Sequence, residues 1–188
     1  MSLTNTNKSS RITYQQCLFF MLFLIPSFIF SQSWSFGGGA IYGDDIDTFG
    51  IHLRSYYNLP DEKICFGPEY SYFFEQTEIV EGEEISRQLS EINFNIHYIF
   101  EVYEELGIYP LVGANLSFEK ETIVAENETE VENITALGAN LGIGVHKEIG
   151  NLVVFAEYSH LFSELSQNSF VLGAFITIGK NKEESIPE

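Results

Sequence analysis

From Trp34 onward apolar side chains fall at every second position, in segments of about ten residues separated by polar clusters. A period of two is the signature of a strand with one greasy and one polar face. The clearest segment is Ser90 to Val102, where Ile92, Phe94, Ile96, Tyr98, Phe100 and Val102 share one side. Glu91, Asn93, Asn95, His97 and Glu101 share the other. Eight such segments are predicted: 33–42, 49–58, 64–78, 85–102, 107–122, 131–147, 152–163 and 168–179. An even number of antiparallel strands can close on itself and leave no unpaired edge, the condition for a sheet to survive in hydrocarbon.

The connections alternate in kind. Those at 59–63, 103–106 and 148–151 are tight, whereas 43–48, 79–84 and 123–130 are longer and acidic, with the short 163–167 an exception. Membrane barrels pair short periplasmic turns with longer outer loops, so both termini are expected on the periplasmic side. A soluble eight-stranded barrel has the same period with its greasy face inward. The polar face argues against that arrangement. It carries His52, Arg54, Glu69, Glu91, Asn93, Asn95, His97, Glu101, Asn115, Asn140 and Glu157. Burying that many carboxylates against an apolar core costs several kcal/mol each, roughly, unless they are paired. Lipid outside and a packed polar lumen inside remove the conflict, and eight strands leave room only for side chains. Tyr56, Tyr57, Tyr72, Tyr98, Tyr103, Tyr109 and Tyr158, near strand ends, are expected in interfacial girdles.

The first thirty residues do not share the pattern. Lys8 and Arg11 precede an apolar run from Cys17 to Phe30, broken by Pro26 and followed by Ser31 and Gln32. That order is a secretory signal peptide, 1–31, and the run is too short to cross roughly 30 Å of hydrocarbon as a helix. The barrel is then 32–180, with a charged tail at 181–188. Cys65 is the one cysteine left, so no internal disulfide forms. The net charge of −18 falls to −20 when Lys8 and Arg11 leave, which repels phosphate backbones and excludes nucleic acid as a partner.

Several residues invite a chemical reading. Arg54 faces Glu69, Glu91 and Glu157 and fits a structural ion network. His52, His97 and His146 lie on different segments without metal-ligand spacing, and no cofactor or metal site is expected. Asp44, Asp45, Asp47, Glu81, Glu83 and Glu84 lack the glycine and spacing of a calcium loop. His160, Ser163 and Glu164 resemble the catalytic set of the barrel-shaped lipid A deacylases. Ser163 lies three places after His160, which puts the two side chains on opposite faces of a strand. No enzyme is expected on that basis.

Four stretches carry a wider resemblance: 34–39 (WSFGGG), 109–116 (YPLVGANL), 137–144 (LGANLGIG) and 155–160 (FAEYSH). With them the chain resembles the small outer-membrane barrels, the OmpA transmembrane domain and the OmpX-like porin family. The resemblance implies a non-enzymatic barrel in the outer membrane of a Gram-negative cell. It implies contact with lipid and lipopolysaccharide, insertion by the outer-membrane assembly machinery, and a part in envelope integrity or surface interaction. The alternatives are an accessory subunit of an envelope secretion or transport complex, a lipid A-modifying barrel enzyme, and a periplasmic soluble barrel. The chain departs from the pattern at its end, where Ile176 and Ile178 are followed by Lys180 to Glu188 instead of a terminal aromatic.

Overall fold

The computed structural model describes residues 33–179 except 62, 81, 126 and 127. The signal peptide expected at 1–31 and the tail at 181–188 lie outside the described residues.

Ten strands follow one another: β1 Ser33–Gly43, β2 Thr48–Asn58, β3 Ile64–Phe73, β4 Gln76–Val80, β5 Glu83–Tyr98, β6 Phe100–Tyr103, β7 Leu106–Val124, β8 Thr129–Ile149, β9 Leu152–Phe162 and β10 Gln167–Ile178. β4 prolongs the stave of β3 and β6 that of β5, because both members of each pair ladder onto the same neighbour. The result is eight antiparallel staves. First and last pair from Trp34↔Ile178 to Gly43↔Ser169, and β5 pairs β7 from Glu84↔Val124 to His97↔Leu111, so the sheet closes.

Between Tyr72↔Ser90 and Gln76↔Arg87 the β3–β4 stave advances four residues while β5 advances three. The extra residue is a β-bulge, and just below it Phe73 is fully buried inside the mouth of the barrel.

The connections on the acidic side are shorter than the sequence suggests. Residues 44–47 and 125–128 alone separate β1 from β2 and β7 from β8, and Gly82 turns β4 into β5 at φ 93°. Glu83, Glu84 and Glu130, assigned to loops, therefore belong to hairpin arms, since laddering continues to Val80↔Glu83 and Val124↔Thr129. β7, at 19 residues, is about 60 Å long. A tilted membrane strand needs roughly 9–11 residues, so β4, β5, β7 and β8 rise well beyond the staves of β1, β2, β9 and β10.

The outside is greasy. Leu137 is 80% exposed, Leu172 69%, Phe49 63% and Phe94 49%. Aromatic pairs sit at both ends of this surface: Tyr42–Phe49, Tyr72–Phe74 and Tyr158–Phe170 on the loop side, Trp34–Tyr57, Tyr57–Phe66 and Tyr98–Phe100 on the turn side. Tyr56 and Tyr109 are corrections to the expected girdles. Each is 2% exposed, because both occupy inward positions in the alternation.

Candidate functional site

The polar side chains converge inside the barrel. Arg54 on β2 is the hub: its Nη2 lies 3.1 Å from Glu157 Oε2 and 3.6 Å from Glu69 Oε1, so both carboxylates share one guanidinium. The Phe155 ring lies 3.8 Å beneath its central carbon, a cation–π contact that needs no water. Arg54 Nε also donates to His52 Nε2, and His52 Nδ1 stands 3.0 Å from Ser71 Oγ.

An amide ladder extends from the hub. Asn95 Nδ2 donates to Glu69 Oε2 at 2.7 Å. Asn115 and Asn140 both donate to Asn93 Oδ1, at 2.7 and 2.8 Å, and Ser117 donates to Asn115 Oδ1. Glu91 is not an Arg54 partner. It accepts from Gln167 Nε2 instead. On the turn side Tyr56 meets His97 at 3.0 Å, Tyr109 donates to Glu157 Oε2, and Tyr109 stacks between His97 and His146. Gly144 makes room for that stack: a Cβ there would run into the Tyr109 ring.

Ten of the eleven predicted polar positions are thus buried together. Glu101 is the correction. It is exposed, because the ladder of its stave breaks at Ile99, whose N–H goes to Lys63 O, and β6 continues past the mouth as a free hairpin with β7. Tyr56, Tyr109, Ser71, Ser117 and Gln167 also join the network. For the first four the inward position in the strand period was the available signal, whereas Gln167 falls in the connection read at 163–167 and joins because β10 begins one residue earlier.

The network fills the lumen unevenly. A central cavity of 10 Å³ touches Glu69, Glu91 and Asn93, and one of 50 Å³ near the turn side touches Cys65, His97 and His146. The loop side is closed by an apolar cap of Ile41, Ile46, Phe73, Leu89 and Val171. Ile46, within the acidic 44–47 connection, is folded into the mouth at 2% exposure.

The candidates at the rim have separate partners. Asp45 faces Arg87 at 3.9 Å and Asp47 accepts from Tyr42. Asp44 accepts from both the side-chain amide and the backbone N–H of Asn168, which hold its carboxyl below the ordinary carboxylate range. No group of three or more metal-ligating side chains occurs among the described residues. Ser163 accepts from Leu165 N, while His160 is turned toward Asn168 and Ser166.

A closed eight-stranded barrel with polar contents and a greasy exterior matches known structures. A major outer membrane protein of Thermus thermophilus superposes with a TM-score of 0.64 at 10% identity, over 78% of this chain and 99% of that one. The fold is that of the small outer-membrane β-barrels. The N-terminal barrel of Pseudomonas aeruginosa OprF (TM-score 0.53, 18% identity, 78% and 97% covered) shares it. So does the Yersinia pestis attachment invasion locus protein Ail (0.52, 17%, 79% and 97%). No family model matches the sequence, and no curated protein does.

Proposed function

We propose that this chain is a Gram-negative outer-membrane barrel with a sealed lumen, acting through the acidic hairpin arms it holds above the surface. The observation that carries the reading is the inversion of the two faces, with large apolar side chains outside and an ion-paired amide network inside. Removing one such side chain from water is worth about 1.5–3 kcal/mol. Lipid around the exterior collects that energy over the whole belt, and water would forfeit it. The tight turns then face the periplasm with both termini, and the arms face out.

The arms set the kind of partner. Glu78, Glu83, Glu84, Glu121, Glu128, Glu130 and Glu132 stand on or between β4, β5, β7 and β8, with Arg87 and Lys120 as the basic residues of the same arms and Lys147 at the opposite, turn-side end of β8. Ail has been captured with the heparin analogue sucrose octasulfate, a polyanion. A surface with this excess of carboxylates favours the opposite ligand, a cationic peptide or protein segment, and steers it by long-range attraction.

The test is migration on unboiled gels together with extraction. The mature protein should require detergent for solubility, run faster unboiled than boiled, and lose its arms, but not its barrel, to protease added to intact cells. A monomer soluble in plain buffer would sink the proposal.

A further inference from the structure

One hydrogen-bonded chain on the molecule has no part in the luminal network. It lies on the outer wall at the loop-side rim, where β9 and β10 pair His160 with Asn168. Asn168 Oδ1 accepts from Tyr158 Oη at 2.7 Å and stands 2.8 Å from His160 Nδ1. Asn168 Nδ2 donates to Asp44 Oδ2 at 2.6 Å. The Asp44 carboxylate only accepts, so the amide is fixed with its oxygen toward the imidazole. Nδ1 is then the donor to that oxygen, so in the neutral ring the lone pair lies on Nε2. Ser166 Oγ lies 3.5 Å from that Nε2, on an exposed residue of the 163–166 connection.

This is the arrangement nucleophilic catalysis requires: a hydroxyl near a base whose other nitrogen is held by a third group. We propose that Ser166 and His160 form an esterase centre, with Asn168 as the positioning residue, for acyl esters of the lipid leaflet around the rim. The substrate class follows from what lies beside it. The Phe162 ring packs edge-on to His160 at 4.4 Å, the Tyr158–Phe170 pair lies beneath, and Leu172 continues the wall downward at 69% exposure. An acyl chain against that wall brings its carbonyl to the aromatic girdle, the height of Ser166.

In the reaction Ser166 Oγ bonds to the ester carbonyl carbon as its proton passes to His160 Nε2. Collapse breaks the carbon–alkoxy bond, and the alkoxy oxygen leaves with that proton. Water, giving a proton to Nε2, then attacks the acyl-serine, releases the fatty acid and restores the hydroxyl. No side-chain amide or cation stands at Ser166 Oγ among the described hydrogen bonds. The enhancement therefore rests on the base, on the order of 10²–10⁴-fold.

The inference depends on the outer wall facing lipid, and the gel assay above tests that separately. The full mature chain is placed in phosphatidylethanolamine vesicles with or without lipopolysaccharide and treated with a fluorophosphonate probe. The expected result is label on Ser166, absent in Ser166→Ala and at least tenfold slower in His160→Gln, with every variant still heat-modifiable. Asn168→Leu should lower kcat while leaving KM unchanged. Fatty acid appearing with phospholipid alone identifies a glycerolipid substrate, and appearing only with lipopolysaccharide identifies its acyl esters. A folded, membrane-inserted protein that takes no label and releases no fatty acid would overturn the proposal and leave the chain as a clamp joining two connections.

Discussion

At the level of single residues, the side chain on which most depends is Arg54. Two buried carboxylates, Glu69 and Glu157, lean on one guanidinium, and the barrel offers them little water in compensation. Removing one member of a buried ion network leaves an uncompensated charge and costs about 3–5 kcal/mol. Arg54→Met should therefore lower the midpoint of urea unfolding in lipid vesicles by a corresponding amount. Adding Glu69→Gln and Glu157→Gln should recover much of the loss, because a neutral network has no charge to strand. If Arg54→Met alone left the midpoint unchanged, the hub would be misassigned. The sequence shows the hub as a lone arginine facing acids, since strand period fixes facing. It does not show that Glu91 turns to Gln167, a choice set by distance across the lumen between staves far apart in the chain.

Among the elements, period two places all eight staves within a few residues and nearly every inward polar group correctly. Its failures fall where the ladder departs from strict alternation. The bulge at 73–75 and the break at Ile99 are backbone events without a distinctive residue signature, and the break is what leaves Glu101 in solvent. Only the tips of the acidic arms, 79–80, 83–84, 123–124 and 129–130, read as loop in the sequence, because glutamate and threonine on both faces look like solvated coil. Cross-strand pairing well above the membrane belt makes them strands regardless. Packing inside a stave is equally local. The stacked Tyr109, His97 and His146 rings exist because residue 144 has no side chain, so Gly144→Val must displace Tyr109 from Glu157. Overpacking of this kind costs about 1–3 kcal/mol. The variant should melt earlier by heat-modifiable gel shift, while Gly150→Ala, in a turn with open space around it at φ 67°, should show only the smaller strain of a left-handed residue.

On the scale of the whole barrel, the lumen is obstructed twice, and the two obstructions differ in chemistry. Ile41, Ile46, Phe73, Leu89 and Val171 form a dry cap at the loop side. Below it the asparagine ladder and the Arg54 hub cross the axis, with a central space of 10 Å³, about enough for one water. An ion entering from either end must shed its hydration without finding a continuous wet path. The mature protein should therefore give no steady current steps in a planar bilayer. Ile46→Asp breaches the cap alone, since the acidic connection can swing outward with its new charge, and the bilayer should stay silent because the hub still blocks the axis. Joining Ile46→Asp with Arg54→Ser, Glu157→Ser, Asn93→Ser and Asn140→Ser opens the cap, the hub and the asparagine ladder together, and cation-selective steps are expected from the carboxylates that remain. Current through the unaltered protein, or through Ile46→Asp by itself, would mean that the polar layer moves aside on its own and that the barrel is a gated pore.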